Sequence, residues 1–386
     1  MRTSILVGIT AMLLLALPTA ASDYTLGIFG NANEDDTINM QDVTYTELII
    51  LEYRDRTDLA DAKYDGKINM QDVTQIELVI LGKEKELTIL DSADRIVTVN
   101  KPVNRIISGY FGYDAEVMRA FGAQDDIVGV SNVLIKKEIY FPELSKLPNV
   151  GCGGGRTGVP DYEAILSLTP DLVIFSPSKK IGGWAEKLPG VPVVGLAFTT
   201  PDDMNGEVMK LGYCLDKTDE AEYLIDEFLD KHVDIIKTGV EGLSEEEKPG
   251  VYLERTGKPY TTYGSKSYVQ QGIAIAGGKN IFADVEASQF VADREEVMMR
   301  NPDIIIKYVS GTSNPEAIGY GVDDPSMAIA IRDEIMSRPE LANVNAVKNG
   351  SVYIIEMSMN LGPKHPIAKV YFAKWIHPEL FEDLDP

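Results

Sequence analysis

A pattern that occurs twice constrains this chain more than any other feature. Glu163-Ala-Ile-Leu-Ser-Leu-Thr-Pro170-Asp171-Leu-Val-Ile174 is matched 132 residues later by Glu295-Glu-Val-Met-Met-Arg-Asn-Pro302-Asp303-Ile-Ile-Ile306. Each copy reads as a helix that stops before its proline, because the residue ahead of proline is disfavoured in the helical region. The Pro-Asp turn then delivers the chain into a buried strand. Ala120-Phe-Gly-Ala-Gln-Asp-Asp-Ile127 is echoed by Ala276-Gly-Gly-Lys-Asn-Ile281, again at the end of a helix. A chain written this way has two lobes of similar build.

Around these copies, short β-rich apolar runs alternate with helical stretches, which argues an α/β fold. Residues 95–99 with Val103 read as a hairpin, 105–109 as a buried strand, and 127–130, 172–175 and 193–194 as its neighbours. Residues 218–240 read as one long helix, with Ala221, Leu224, Ile225, Phe228, His232, Ile235 and Ile236 on one face. His232 on that apolar face reads as a packing residue. Gly239, Gly242 and Pro249 end the helix before the strand at Val251. One helix as the sole link between two lobes leaves a crevice. The expected organisation is a first lobe over 90–216, a linking helix over 217–241 and a second lobe over 248–386.

A thirty-residue repeat precedes the lobes: Ile-Asn-Met-Gln-Asp-Val-Thr fills 38–44 and again 68–74. Oxygen donors alternate ahead of it, Asn31, Asn33 and Asp35 in the first copy, Asp61 and Asp65 in the second. Asp42 and Asp72 follow at the twelfth place. That is the spacing of a calcium loop, with side-chain oxygens at places 1, 3, 5 and 12 and a backbone carbonyl at 7, here Thr37 and Lys67. Gly66 fills the sixth place, where the turn is sharp, and Asp36 does so in the first copy. Lys63 occupies a ligand place in the second copy, where an ammonium opposes a divalent ion. Val43, Leu48 and Leu51, like Val73, Leu78 and Leu81, recur at helical spacing, so each loop feeds one helix. The pair over 26–84 resembles the dockerin repeat, which implies a small α-helical, EF-hand-like domain, bound Ca2+ and a cohesin-like surface partner. Acidic turns that bind nothing are the plain alternative.

Lys plus Arg number 36 against 60 for Asp plus Glu, a formal charge of −24. Such a surplus repels phosphate backbones and anionic lipid heads, and excludes nucleic acid and membrane surfaces as partners. Three histidines and two cysteines leave no His/Cys zinc cluster. An apolar run over 5–17 followed by Pro18, Thr19, Ala20 and Ala21 reads as a signal peptide over 1–21, cut after Ala21. The mature chain is expected outside the cytoplasm, at the cell surface or in a periplasm-like space, as a monomer. Export permits a Cys152–Cys214 disulfide, and two thiols fit the spacing equally well.

In open parallel sheets the ligand sits beyond the carboxyl ends of the strands. That names Tyr110, Phe111 and Tyr113 after the first strand, Gly153, Gly154 and Arg156 in a glycine loop, and Lys179 after residue 175. The second lobe offers Arg255, Tyr260, Tyr263, Tyr308, Met357 and Met359. The set is aromatic and Met-rich with a few cations, suited to a large, flat, partly anionic chelate. Gly151-x-Gly153 begins like a dinucleotide fingerprint, but Arg156 takes the third glycine place, so nucleotide is not expected.

Residues 121–130, the two Glu…Pro-Asp patterns, 276–281 and 373–381 resemble the helix-linked (class III) substrate-binding proteins of ABC importers for iron–siderophore, haem and corrinoid ligands. The resemblance covers about 90–386. It implies two Rossmann-like lobes on a rigid helix, small hinge motion, an ABC permease as partner and no catalysis. It also implies one exposed Glu per lobe set against basic pockets of the permease; motif by motif these are Glu163 and Glu295. The expected function is capture of a ferric siderophore or similar metal chelate, with a corrinoid or haem as the alternative cargo. A cleft enzyme and an adhesive surface module built on the repeat pair are the competing classes. Against the enzyme, His365 and His377 stand isolated and no thiol motif surrounds Cys152.

Overall fold

The computed structural model describes residues 24–151, 158–267, 269–311 and 313–385. The signal-peptide reading over 1–21, with Cys152, Gly153, Gly154 and Arg156, lies outside the described residues.

Helices α1 (Met40–Ile50) and α2 (Met70–Ile80) start alike. Asn39 and Asn69 accept from the Gln41 and Gln71 N–H groups, while Asp42 and Asp72 each accept the cap residue's N–H at 2.8 Å. This reciprocal box satisfies donors that a helix start leaves open. Two short helices bury too little apolar surface to stand alone. Ile38, Val43, Val73, Ile76 and Val79 therefore enter one buried cluster with Leu26, Leu87, Val99 and Tyr213. The Ile38 N–H donates to Tyr213 Oη at 3.1 Å, Ile28 bridges Ile89, and Lys101 pairs with Glu84 at 2.6 Å. The repeat predicted a separate domain; the structure corrects this, since the helix pair shares the first lobe's core.

After the antiparallel hairpin of β1 (Glu86–Leu90) and β2 (Ile96–Asn100) comes the first parallel sheet. Its chain order is β3 (Ile106–Ser108), α3 (Tyr113–Ala120), β4 (Ile127–Val130), α4 (Tyr162–Ser167), β5 (Leu172–Phe175), α5 (Ile181–Ala185) and β6 (Val193–Gly195). The strands lie in the order β4-β3-β5-β6. Helix α6 (Met204–Leu215) leads to the link, in which α7 (Thr218–Leu224) and α8 (Lys231–Val240) flank a π-helical stretch, Ile225–Asp230.

The second lobe runs β7 (Gly250–Glu254), β8 (Thr261–Thr262), α9 (Val269–Ile275), β9 (Lys279–Asn280), β10 (Phe290–Val291), α10 (Arg294–Arg300) and β11 (Ile304–Val309). It continues through α11 (Ser326–Met336), α12 (Asn345–Asn349), β12 (Val352–Glu356) and α13 (His365–Ile376). Apart from the small β8–β10 ribbon, its strands form a second parallel sheet, β12-β11-β7-β9. In both sheets the first strand lies between the second and third, with the fourth outside the third. The lobes are twins, and their sheets are separate.

The duplicated pattern does the same work in each. Asp161 and Asp293 cap α4 and α10, whose Ile165 and Val297 are buried. Thr169 and Asn301 then turn the chain in left-handed conformation, φ 44° and 43°, just before the prolines. Asp171 accepts from the Asn104 and Arg105 N–H groups at 2.9 and 3.0 Å, and Asp303 from the Gly250 N–H at 2.9 Å. Each carboxylate thus ties the third strand's entry to the start of the first.

Candidate functional site

The site begins where β3 ends. Gly112, at φ 93°, turns the chain from Phe111 into α3, and the turn gathers three rings. Tyr110 lies 5.1 Å from Phe111 and 5.9 Å from Tyr113, centroid to centroid. Tyr110 is buried and donates to Thr199 Oγ1 at 3.3 Å, and burial pushes its hydroxyl pKa up to about 12.

Across from it, Tyr263 and Tyr308 meet edge-on at 6.1 Å. With Val269, Met357, Asn360 and Leu361 they line a cavity of about 10 Å³, room for a single water. Met359 packs half-buried on the same core. Tyr260 does not join this group. It belongs to the core on the other face of the second sheet, where its hydroxyl donates to Glu340 at 2.7 Å and Arg338 covers its ring. Lys179 is exposed, and Arg255 is half-buried at the end of β7.

Apart from Tyr113, the lobes touch through residues that the sequence reading did not name. Lys364, ahead of α13, reaches Glu116 of α3 at 2.9 Å, with both side chains largely buried. Its Nζ lies 4.7 Å from the Tyr140 ring and 5.7 Å from the Tyr320 ring. Those rings, one from each lobe, stack at 4.4 Å and 15°. Gly362, at φ 65°, lets the chain run against Tyr113, where a Cβ would lie 2.3 Å from the ring. Gln271 donates to Asp202 beside the link. The one sequence signal for this contact was Tyr320 held between Gly319 and Gly321.

The charges at this contact offset one another. Burial pushes the Asp114 carboxyl up to about 6. Burial also raises Glu116, against the pull of Lys364. Burial lowers Lys137, whose Nζ donates to the Phe111 carbonyl at 2.8 Å. Asp114 and Glu116 thus share one neighbourhood with the Lys137 and Lys364 ammonium groups and with the Arg119 guanidinium, which lies 4.9 Å from the Tyr140 ring.

The repeat loops differ from each other in their fit to calcium. In the first, Asn31 Oδ1 is buried with no hydrogen-bond partner, and burial pushes the Asp42 carboxyl up to about 6. The Asp35 N–H donates to Asn33 Oδ1, and the Thr37 N–H to Asp35 Oδ1. Those oxygens fit a hard cation. In the second, Asp61 accepts from the Asp65 and Gly66 N–H groups and has the Arg56 guanidinium at 3.8 Å. With Lys63 also present, that loop carries its own cations and fits less well. Among the described residues no three His, Cys, Asp or Glu side chains are grouped to hold a metal ion. Cys214 is a buried thiol, its pKa pushed up to about 12 by burial.

A family model described as Periplasmic binding protein matches residues 108–358. The Vitamin B12-binding protein of Vibrio parahaemolyticus is 26% identical over 212 residues, 54% of this chain and 72% of that protein. The Cobalamin-binding protein of Halobacterium salinarum is 28% identical over 229 residues, 58% of this chain and 56% of that one. Among solved structures, the TroA-like periplasmic binding protein FepB from Veillonella parvula has a TM-score of 0.65 at 21% identity, covering 78% of this chain and 92% of its own. That last likeness is one of fold.

Proposed function

The chain belongs to the periplasmic binding protein family, and from that premise we propose that its cargo is a corrinoid, captured between the lobes and released unaltered. As a family member it is the non-catalytic, extracytoplasmic substrate-binding component of an ABC-type importer.

The observation that carries the cargo reading is the charge balance of the cleft. Lys137 is held by the Phe111 carbonyl and Lys364 by Glu116. Neither of these two cleft lysines therefore stands free for an anionic ferric chelate. Aromatic and methionine walls suit a large, flat chelate of low net charge. The names of the two relatives above support the same cargo. The ferric siderophore expected from the sequence thus yields to the corrinoid alternative. Calorimetric titration with cyanocobalamin, haem and ferric siderophores tests this. Saturable heat with cyanocobalamin at one per chain is expected. A ferric siderophore that saturates the protein while cyanocobalamin gives no heat would overturn it.

Glu163 and Glu295 are assigned to the permease contact. Both are exposed near the starts of short helices, and reversing both charges should stop uptake while leaving cargo binding intact. The first repeat loop is assigned a Ca2+ ion held by Asn31, Asn33, Asp35, Asp42 and the Thr37 carbonyl, with a weaker second site at Asp61, Asp65, Lys67 and Asp72. Calcium would supply charge and loop closure there. Met40 and Met70, and Leu51 and Leu81, are exposed at equivalent places of the repeat, a face suited to a cohesin-like partner.

A further inference from the structure

Lys307 lies in β11, where a parallel strand covered on both faces ordinarily carries apolar side chains. Alternation along the strand sends Ile306 and Tyr308 into the core shared with α13, and Ile305 into the opposite core with Ile335 of α11. Lys307 and Val309 share that second face. Helix α11 covers it only in part. Its first turns, residues 326–331, carry no charge, yet Ile335 is the one residue of the helix that is buried. The start of the helix therefore stands off the sheet, and the gap beneath it holds about 330 Å³. Val309, Ala330 and Ile331 give the gap apolar sides, Thr256 adds a hydroxyl, and Lys307 and Arg338 line it with charge. The sheet separates it from Tyr263, Tyr308 and Met357, which pack on the other face.

The charges beneath the gap are unequal. Glu254 is buried and accepts from Lys307 at 2.7 Å and from Arg338 at 2.7 and 3.0 Å. Burial opposes its charge, but Arg338 and Lys307 prevail and hold the carboxyl below its ordinary range. Two buried cations thus face one buried acid. The balancing charge comes from Glu334, which meets Arg338 at 2.8 Å with its own side chain 57% exposed. An acid so exposed holds its partner weakly. Lys307 gives a second N–H to the Arg255 carbonyl at 3.0 Å, and its third meets no acceptor among the described residues. A cavity of about 150 Å³ admits a benzene ring, so this gap has room for a ring and a short polar tail. We propose that it is a second binding site, for a small monocarboxylate with an apolar body. The carboxylate replaces Glu334 beside Lys307 and Arg338, and the body lies between Val309 and Ile331. The site is separate from the cargo cleft and does not depend on the corrinoid reading.

The experiment is calorimetric titration of the full chain with 3-phenylpropionate, octanoate and the neutral 3-phenylpropionamide. Saturable heat at one per chain is expected from the carboxylates, with the amide at least about tenfold weaker. A330W places a ring in the gap from an exposed helix position and should abolish binding. E334Q removes the competing acid and should tighten carboxylate binding about threefold or more, whereas a neutral or cationic ligand would not gain. Circular dichroism and melting confirm that both variants are folded. Excess cyanocobalamin should leave carboxylate binding unchanged; displacement would make the gap part of the cleft and overturn the second site. No heat from either carboxylate, equal binding of the amide, or full binding by A330W each overturns the proposal. So does weaker carboxylate binding by E334Q.

Discussion

Two buried groups give this protein pH dependences of the same origin and opposite sign. Burial holds the Asp42 carboxyl at about 6, so folding favours its proton, and the ionised form costs stability above that pH. The cost recedes as pH falls from 6 towards the ordinary carboxylate value, since the folded state then keeps its proton. A Ca2+ ion held as proposed would relieve the same cost without a proton. Calcium should therefore raise the melting temperature at pH 7.5 by a few degrees and by much less at pH 5, and D42N should abolish the shift. Scanning calorimetry reads both. Lys369 is buried beside His365, and burial lowers its amine to about 7. It must shed a proton to fold at any pH between about 7 and the ordinary lysine value, and the penalty is full at pH 7. K369M should melt a few degrees higher at pH 7, with the gain fading towards pH 10. An unchanged gain across that range would show that packing, not charge, is responsible. The loop positions of Asp42 and Asn31 were legible from spacing; the burial of Lys369 was not, because α13 is apolar on more than one side.

At the scale of elements, the Pro-Asp turn is the most legible feature of the chain, because its function is met within a strand's width. Asp171 and Asp303 each satisfy backbone donors at the start of the neighbouring strand, and Asp303 also accepts from Asn345 at 2.8 Å. D303A removes the acceptor of half-buried donors and should lower stability by about 1–3 kcal/mol, whereas the donors that Asp171 meets are exposed to water, so D171A should cost about 0.5–1.5 kcal/mol, both read by urea unfolding. The linking helix was legible as one amphipathic run, but its π-helical stretch at Ile225–Asp230 was not. The wider turn moves the buried face to Leu229, Val233 and Ile236 and leaves Ile235, which the regular period placed on that face, 47% exposed. The helix pair read as a domain because its loops and caps are local. Its merger with the first lobe depends on Tyr213 and β1, which no repeat spacing can announce.

At the scale of the whole molecule, capture between the lobes would depend on how readily they part. The cavity beside Tyr263 and Tyr308 lies within the second lobe and holds about 10 Å³, whereas a corrinoid needs hundreds of cubic ångströms. Capture between the lobes, as proposed, requires them to part, and the Lys364–Glu116 pair with the Tyr140–Tyr320 stack opposes that. Binding to a state that is only partly populated lowers apparent affinity and slows capture. E116Q and Y320A should each speed cyanocobalamin association several-fold in stopped-flow measurements; unchanged rates would mean that opening does not limit capture. The order of residues alone determined the twin lobes, most of their central strands, the loops that feed the repeat's helices and the run of the helix between the lobes, because each rests on contacts a few turns apart or on a pattern written twice. Tertiary structure alone decided that Glu116 meets Lys364, that Tyr140 meets Tyr320, and that Tyr260 turns away to the far face. Periodicity states which face of an element is apolar, and only packing chooses what that face will touch.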